Sequence, residues 1–222
     1  MYNLLKVIGV ETARRSDFGT RLRDASDSLP GAVGKLLAPT LPGTYAGGDF
    51  IWRVSFPDRA AANAALGSEA GKAALALIAD ESLVTSLDQV AFTTGAQGGT
   101  AHAPAGLYRA ALFCADRNPT SERLSAFAHD TLDMPKHVRT IVRWELSEAG
   151  EASGMMDWTH VWEQEYPDLG GLNGAYMLHP VHWAHVERWF DTEYPDYLVS
   201  PRLVHTFCAT DRAILNQQAG PD

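Results

Sequence analysis

Seven of the eight histidines in this 222-residue chain fall in its second half. Three of them crowd into one stretch, Tyr176-Met177-Leu178-His179-Pro180-Val181-His182-Trp183-Ala184-His185-Val186. Imidazole is the side chain that titrates nearest neutral pH, so such a cluster can move protons, bind a metal or simply pack. Pro180 suits the first turn of a helix, where its missing N–H costs nothing. His179 then sits at or near the N-cap, where the positive end of the helix dipole favours a neutral ring. At ~100° per residue, His182 shares a face with Trp183, Val186, Trp189 and Phe190, while His185 turns toward the polar flank with Arg188. The i, i+3, i+6 spacing spreads the three rings around the helix, so no metal site is expected; helical metal pairs favour i and i+4. Hydrogen-bonded packing remains open as the plain reading. The preferred one makes an inward histidine a general acid–base working with Tyr176 in an apolar pocket.

Neighbouring strands supply further candidates. His160 shares a strand face with Trp158 and Trp162, and with Trp183 these residues could line a substrate pocket. Arg143 alternates with Trp144 and could anchor an acidic or phenolic substrate. Asp157, Glu163 and Glu165 read as solvated strand-end carboxylates. His205 sits mid-strand as a satisfied core histidine, and His129 and His137 flank a helix end on the surface. Cys114 and Cys208 lie in apolar runs and read as small core residues.

These residues need elements to hold them. Apolar runs at residues 4–10, 50–56 and 83–92 read as strands, with helical spacing across 14–29 and, broken near Gly67 and Gly71, across 60–78. Pro- and Gly-rich residues 39–48 form a loop, and 95–106 form a linker. After it the order recurs: strands at 108–114, 138–146, 158–165 and 203–208, with helices at 121–132 and 176–190. This strand-helix-strand-strand-helix-strand order, written twice, is the split βαβ unit. A short echo supports duplication: Leu83-Val84-Thr85-Ser86 ending in Phe92 aligns with Leu198-Val199-Ser200-Pro201 ending in Phe207. The expected fold class is α+β: two tandem ferredoxin-like repeats, residues 1–95 (structural) and 107–212 (carrying the site), packed sheet to sheet as an α+β barrel.

A net charge of −9 makes nucleic acid a poor partner. No apolar run reaches the ~18 residues that cross a bilayer, and no secretion signal is visible. Two cysteines cannot build a disulfide framework, so a cytoplasmic setting is expected. Residues 217–222 read as a polar tail.

The motif Tyr176-x-x-His179-Pro180-x-His182 at the start of the last long helix, followed by an Asp/Pro-rich stretch and the run Leu203-Val204-His205-Thr206-Phe207-Cys208, resembles the stress-responsive α/β-barrel (Dabb) family of the dimeric α+β barrel superfamily. The resemblance implies a barrel usually built from two chains, here from two halves of one, with homodimerisation left open. Some members cyclise polyketide-type aromatics with no cofactor, using the motif's tyrosine and second histidine, which here are Tyr176 and His182. His179 would orient or relay. The first half lacks the motif, so one site is expected rather than two. The functional expectation is a cofactor-independent lyase, cyclase or isomerase acting on an aromatic or polyketide-like small molecule. The alternatives are a haem-binding α+β barrel and a non-catalytic stress-response or binding protein.

Overall fold

The structure is a computed structural model describing residues 1–100 and 102–215; the polar tail at 217–222 lies outside the described residues. Its first sheet joins β1 (Tyr2–Val10), β2 (Gly34–Pro39), β3 (Phe50–Phe56) and β4 (Val84–Thr93) in the order β2-β3-β1-β4. The second joins β5 (Ala96–Gly99), β6 (Leu107–Phe113), β7 (Arg143–Glu148), β9 (His160–Tyr166) and β10 (Val204–Ala209) in the order β10-β6-β9-β7-β5. A short β8 (Glu151–Ser153) adds to the free edge of β4. Both sheets are antiparallel, and together they give the expected α+β barrel of two ferredoxin-like units.

Three strands were not legible. β2 is an edge strand beside the Pro/Gly-rich loop, and its short apolar core, Leu36-Leu37-Ala38, carries no clear alternation. β5 lies in the expected linker, where small residues hide a pairing with β7. β8 pairs with the first sheet although it follows β7 in the chain. The linker thus supplies an edge strand to the second sheet, and the second unit lends β8 to the first, crossing the division into 1–95 and 107–212. Sheet edges that would otherwise offer unpaired N–H and C=O groups are covered in this way.

The repeat is visible in register. Seven-residue β3 pairs with β1 end to end, Tyr2 opposite Phe56 and Ile8 opposite Phe50; seven-residue β9 pairs with β6 likewise, Leu107 opposite Tyr166 and Phe113 opposite His160. Overlaying the two registers sets Trp52 on Trp162 and Arg53 on Glu163. The Phe92/Phe207 echo does not superpose in this sense: Phe92 faces the other sheet and Phe207 faces the helix layer.

Alternation decides what each strand face meets. On β3, Phe50, Trp52, Val54 and Phe56 turn to the helices α1 (Arg15–Asp27), α2 (Arg59–Gly67) and α3 (Glu69–Ile78). Ser68 ends α2 and starts α3, its Oγ accepting from Gly71 N at 3.1 Å. In the second unit α4 (Ser121–His137) starts from a Thr120 cap and covers Trp162 and Phe113 with Phe127 and Met134. Between the sheets, Leu5, Val7, Ile51 and Phe92 meet Ala110, Leu112, Val161, Val204 and the two free cysteines, Cys114 and Cys208.

That interior also holds charge. Arg53 donates from Nε and Nη2 to Glu163 at 2.5 and 3.3 Å and from Nη1 to Ser55; Tyr108 donates its hydroxyl to the same carboxylate. Arg143 pairs with Glu165 in the same layer. Burial, then the nearby Glu163 charge, pushes Glu145 up to about 7. Glu163 and Glu165 are therefore buried and paired, contrary to the solvated reading. The cause is tertiary: a strand solvated on one face in a lone sheet is buried on both once a second sheet lies over it.

Candidate active site

The expected continuous helix over residues 176–190 is replaced by two π-helical turns, Gly171–Tyr176 and Val181–Val186, and a 3₁₀ turn, Glu187–Trp189. Pro180 has no N–H to continue a ladder, so the chain breaks before it. His179 bridges the break: its N donates to Tyr176 O at 3.1 Å, and its Nδ1 accepts from Val181 N at 3.2 Å. Wide π-helical turns are frequent at functional sites, where they re-aim side chains.

The break swings Tyr176 and His182 together. Their rings meet edge to face with centroids 4.6 Å apart. Tyr176 is 2% exposed, and its hydroxyl makes no hydrogen bond to another described residue. The His182 side chain is 13% exposed, and its buried Nδ1 makes no hydrogen bond; the nearest carboxylate oxygen, on Glu187, is 3.6 Å away. Burial, and then the charge of Arg109, holds the imidazole down at about 4. Both residues line a cavity of about 490 Å³ between the helix layer and the second sheet. Phe113, Met134, Trp162, Phe190 and Leu203 form its apolar wall, and half-exposed Trp183 and Tyr194 stand at the mouth.

Of the expected residues, His182, Tyr176, Trp162 and Trp183 come together here. The others do not. His179 lies outside the cavity, near His137, and acts as a cap. His160 shares the helix-facing side of β9, but its ring packs edge to face on Phe127 at 5.5 Å and its Nδ1 meets Thr159 Oγ1 at 2.8 Å. Trp158 faces the sheet–sheet interior, donating Nε1 to Asp88 at 3.1 Å. Arg143 is committed to Glu165 in that same interior. His185 points away as expected, yet its Nε2 meets Asp130 at 3.1 Å. The three clustered histidines diverge, and no group of three metal-ligating side chains converges among the described residues.

Two cavity residues escaped the sequence reading. Arg109 on β6 reaches the cavity floor beside Tyr176, its guanidinium carbon 5.2 Å from the ring centroid. A lone charge inside Leu107-Tyr108-Arg109-Ala110-Ala111-Leu112-Phe113 was the available signal. His205 lines the cavity with Nε2 unpartnered, unlike the satisfied core histidine expected, and its ring is held far toward the neutral form by burial and by Arg109. Here the first unit contributes. Its loop at residues 40–49 pairs with β10: Tyr45 N donates to His205 O at 2.8 Å, and His205 N donates to Tyr45 O at 2.9 Å. Gly48 in that loop has φ +59°, and a Cβ there would lie 2.8 Å from the Ile8 backbone, so a glycine is required.

Asp130, on α4, fixes the segment carrying His182. Its carboxylate accepts from Arg188 Nη2 at 2.6 Å and Trp189 Nε1 at 2.9 Å, besides its contact with His185. Burial opposes ionisation, but these donors prevail and lower its pKa. A depressed carboxyl stabilises the fold above its ordinary pKa and loses that contribution as pH falls. Asp130→Asn is expected to cost about 1–3 kcal/mol at pH 7, read by urea unfolding. The deficit should shrink toward pH 3, and His185→Ala should cost under ~1 kcal/mol because the other two donors remain.

Residues 107–199 match the family model described as the Stress responsive A/B Barrel Domain, Dabb. The match lies wholly in the second half of the chain and covers less than half of its length. Tyr176, His182 and Arg109 all lie within the matched stretch, whereas His205 follows it. Curated proteins give no match. Among solved structures, an anthrone oxidase-like protein aligns at TM-score 0.67 and 8% identity, over 94% of this chain and 90% of its own. A protein from Lactobacillus acidophilus NCFM described as a candidate monooxygenase aligns at 0.58 and 11%, over 97% and 99%. A chlorite dismutase variant from Candidatus Nitrospira defluvii aligns at 0.53 and 10%, over 94% and 91%. At such identities the likeness is one of fold: two ferredoxin-like units in one chain form a barrel. No helix among the described residues is long and apolar enough to cross a membrane.

Proposed function

We propose that the chain is a cofactor-independent cyclase or lyase that moves a proton next to a carbonyl in an aromatic or polyketide-like molecule. The observation carrying this is a neutral, unpartnered imidazole in edge contact with a free tyrosine inside an aromatic-walled cavity. His182 takes a proton from carbon, and the C–H electron pair forms the enolate double bond while the carbonyl π pair moves to oxygen. The Tyr176 hydroxyl donates to that oxyanion, a bond strengthened where water is excluded. The enolate carbon then adds to a second carbonyl of the same molecule, and the new alkoxide recovers the proton from His182. The name of the anthrone oxidase-like neighbour adds support for an aromatic ligand.

The test is solvent deuterium incorporation into a panel of aryl methyl ketones such as 2-acetylnaphthalene, followed by proton NMR in D₂O. Exchange above the buffer rate, abolished in His182→Ala, is expected. Exchange no faster than buffer across the panel would overturn the reading. A haem absorbance band in the purified chain would replace it with the haem-binding alternative.

A further inference from the structure

Arg109 is 5% exposed, yet no carboxylate among the described residues answers its charge. Among the described residues its one side-chain hydrogen bond runs from Nη1 to Gln164 Oε1, and its Nε is unpartnered. The other two buried arginines of this protein behave differently: Arg53 is matched to Glu163 and Arg143 to Glu165. A buried cation is costly unless something pairs with it, and the protein pairs the ones in its interior. Around Arg109 the other unpartnered buried polar atoms are the nitrogens Gln164 Nε2, Trp162 Nε1, His182 Nδ1 and His205 Nε2 and the Tyr166 hydroxyl, which can itself donate. The acids that border the cavity, Glu187 and Asp191, are exposed at its mouth, not on its floor.

The Nε–Nη2 edge of a guanidinium is a planar fork that fits the two oxygens of a carboxylate. We propose that the ligand of this cavity is an aromatic carboxylate whose anionic end is held by Arg109 and whose rings lie against Trp162, Phe113 and Phe190. This rests on the reading of the cavity as the substrate site and names the class of molecule it takes. Arg109 is then the specificity residue: Gln164 holds Nη1 and leaves the opposite edge for the ligand. A carboxylate there also offsets the charge that depresses His182, so binding makes the imidazole a stronger base.

Calorimetric titration with 2-naphthoate and its neutral isostere 2-naphthamide tests this without any turnover. The carboxylate should bind about 10- to 100-fold more tightly than the amide, the difference a charge-assisted pair supplies. Arg109→Met should erase that preference and Arg109→Lys should keep part of it, with 2-naphthoate affinity flat from pH 6 to 9. No binding of 2-naphthoate by the wild type, equal affinity for the two probes, or full preference retained in Arg109→Met would overturn the proposal. The wild-type pair of probes suffices if Arg109→Met fails to fold. His182→Ala should retain the preference, so loss of deuterium exchange alone would strike at the catalytic reading and leave this one standing.

Discussion

Turnover of the best exchanging ketone falls ~10²–10⁴-fold in His182→Ala, the contribution expected of a positioned base. Circular dichroism and unfolding midpoint should stay close to wild type, because the ring makes no hydrogen bond that holds the fold. Tyr176→Phe, which removes only the hydroxyl, should lower kcat more than it raises KM. The pH profile supplies the more diagnostic readout. The charged and titratable groups facing His182 are Arg109 from β6, His205 from β10, Tyr176 from the preceding turn and Glu187 from its own segment. Arg109 and burial hold the free imidazole at about 4, so kcat/KM, which reports free enzyme, should fall only as pH drops through about 4. An anionic substrate that offsets Arg109 moves the acid limb of kcat to higher pH. A neutral substrate should leave the two limbs nearer each other. An acid limb of kcat/KM at the ordinary histidine value, or wild-type exchange in His182→Ala, would remove His182 as the base.

Arg53→Met is expected to destabilise the protein by about 3–5 kcal/mol, because it leaves the Glu163 carboxylate buried between the sheets without its cation. The midpoint of urea unfolding measures this. Glu163→Gln should cost a comparable amount, since Arg53 and the Tyr108 hydroxyl then face a neutral amide. The double variant Arg53→Met, Glu163→Met should recover much of the loss, as replacing both members of a buried pair by apolar groups is often near neutral. Arg53 and Glu163 occupy matching positions of the two units, so this pair joins the halves at the pseudo-twofold centre of the barrel. Single variants as stable as wild type would mean that the two sheets do not depend on it.

Local pattern alone determined the repeated element order, the strands Phe50–Phe56 and His160–Tyr166 within a residue or two, and the inward turn of His182 against the outward turn of His185. These follow from periods of two and 3.6, which need no partner to be read. The motif Tyr176-x-x-His179-Pro180-x-His182 was likewise legible because a proline marks its own break. Tertiary structure decided the rest. Strand alternation shows that Trp158, Arg143 and His160 have opposite faces available, but only the second sheet and α4 determine which face becomes interior, helix layer or cavity. Arg143 has the chemistry of an anchor, yet Glu165 already holds it. Arg109 has the same side chain without an acid, and no spacing in the sequence distinguishes an arginine with a partner from one without. The edge strands β5 and β8, and the first-unit loop that pairs with His205, are pairings between residues 40 to 160 positions apart, each too short to declare itself locally.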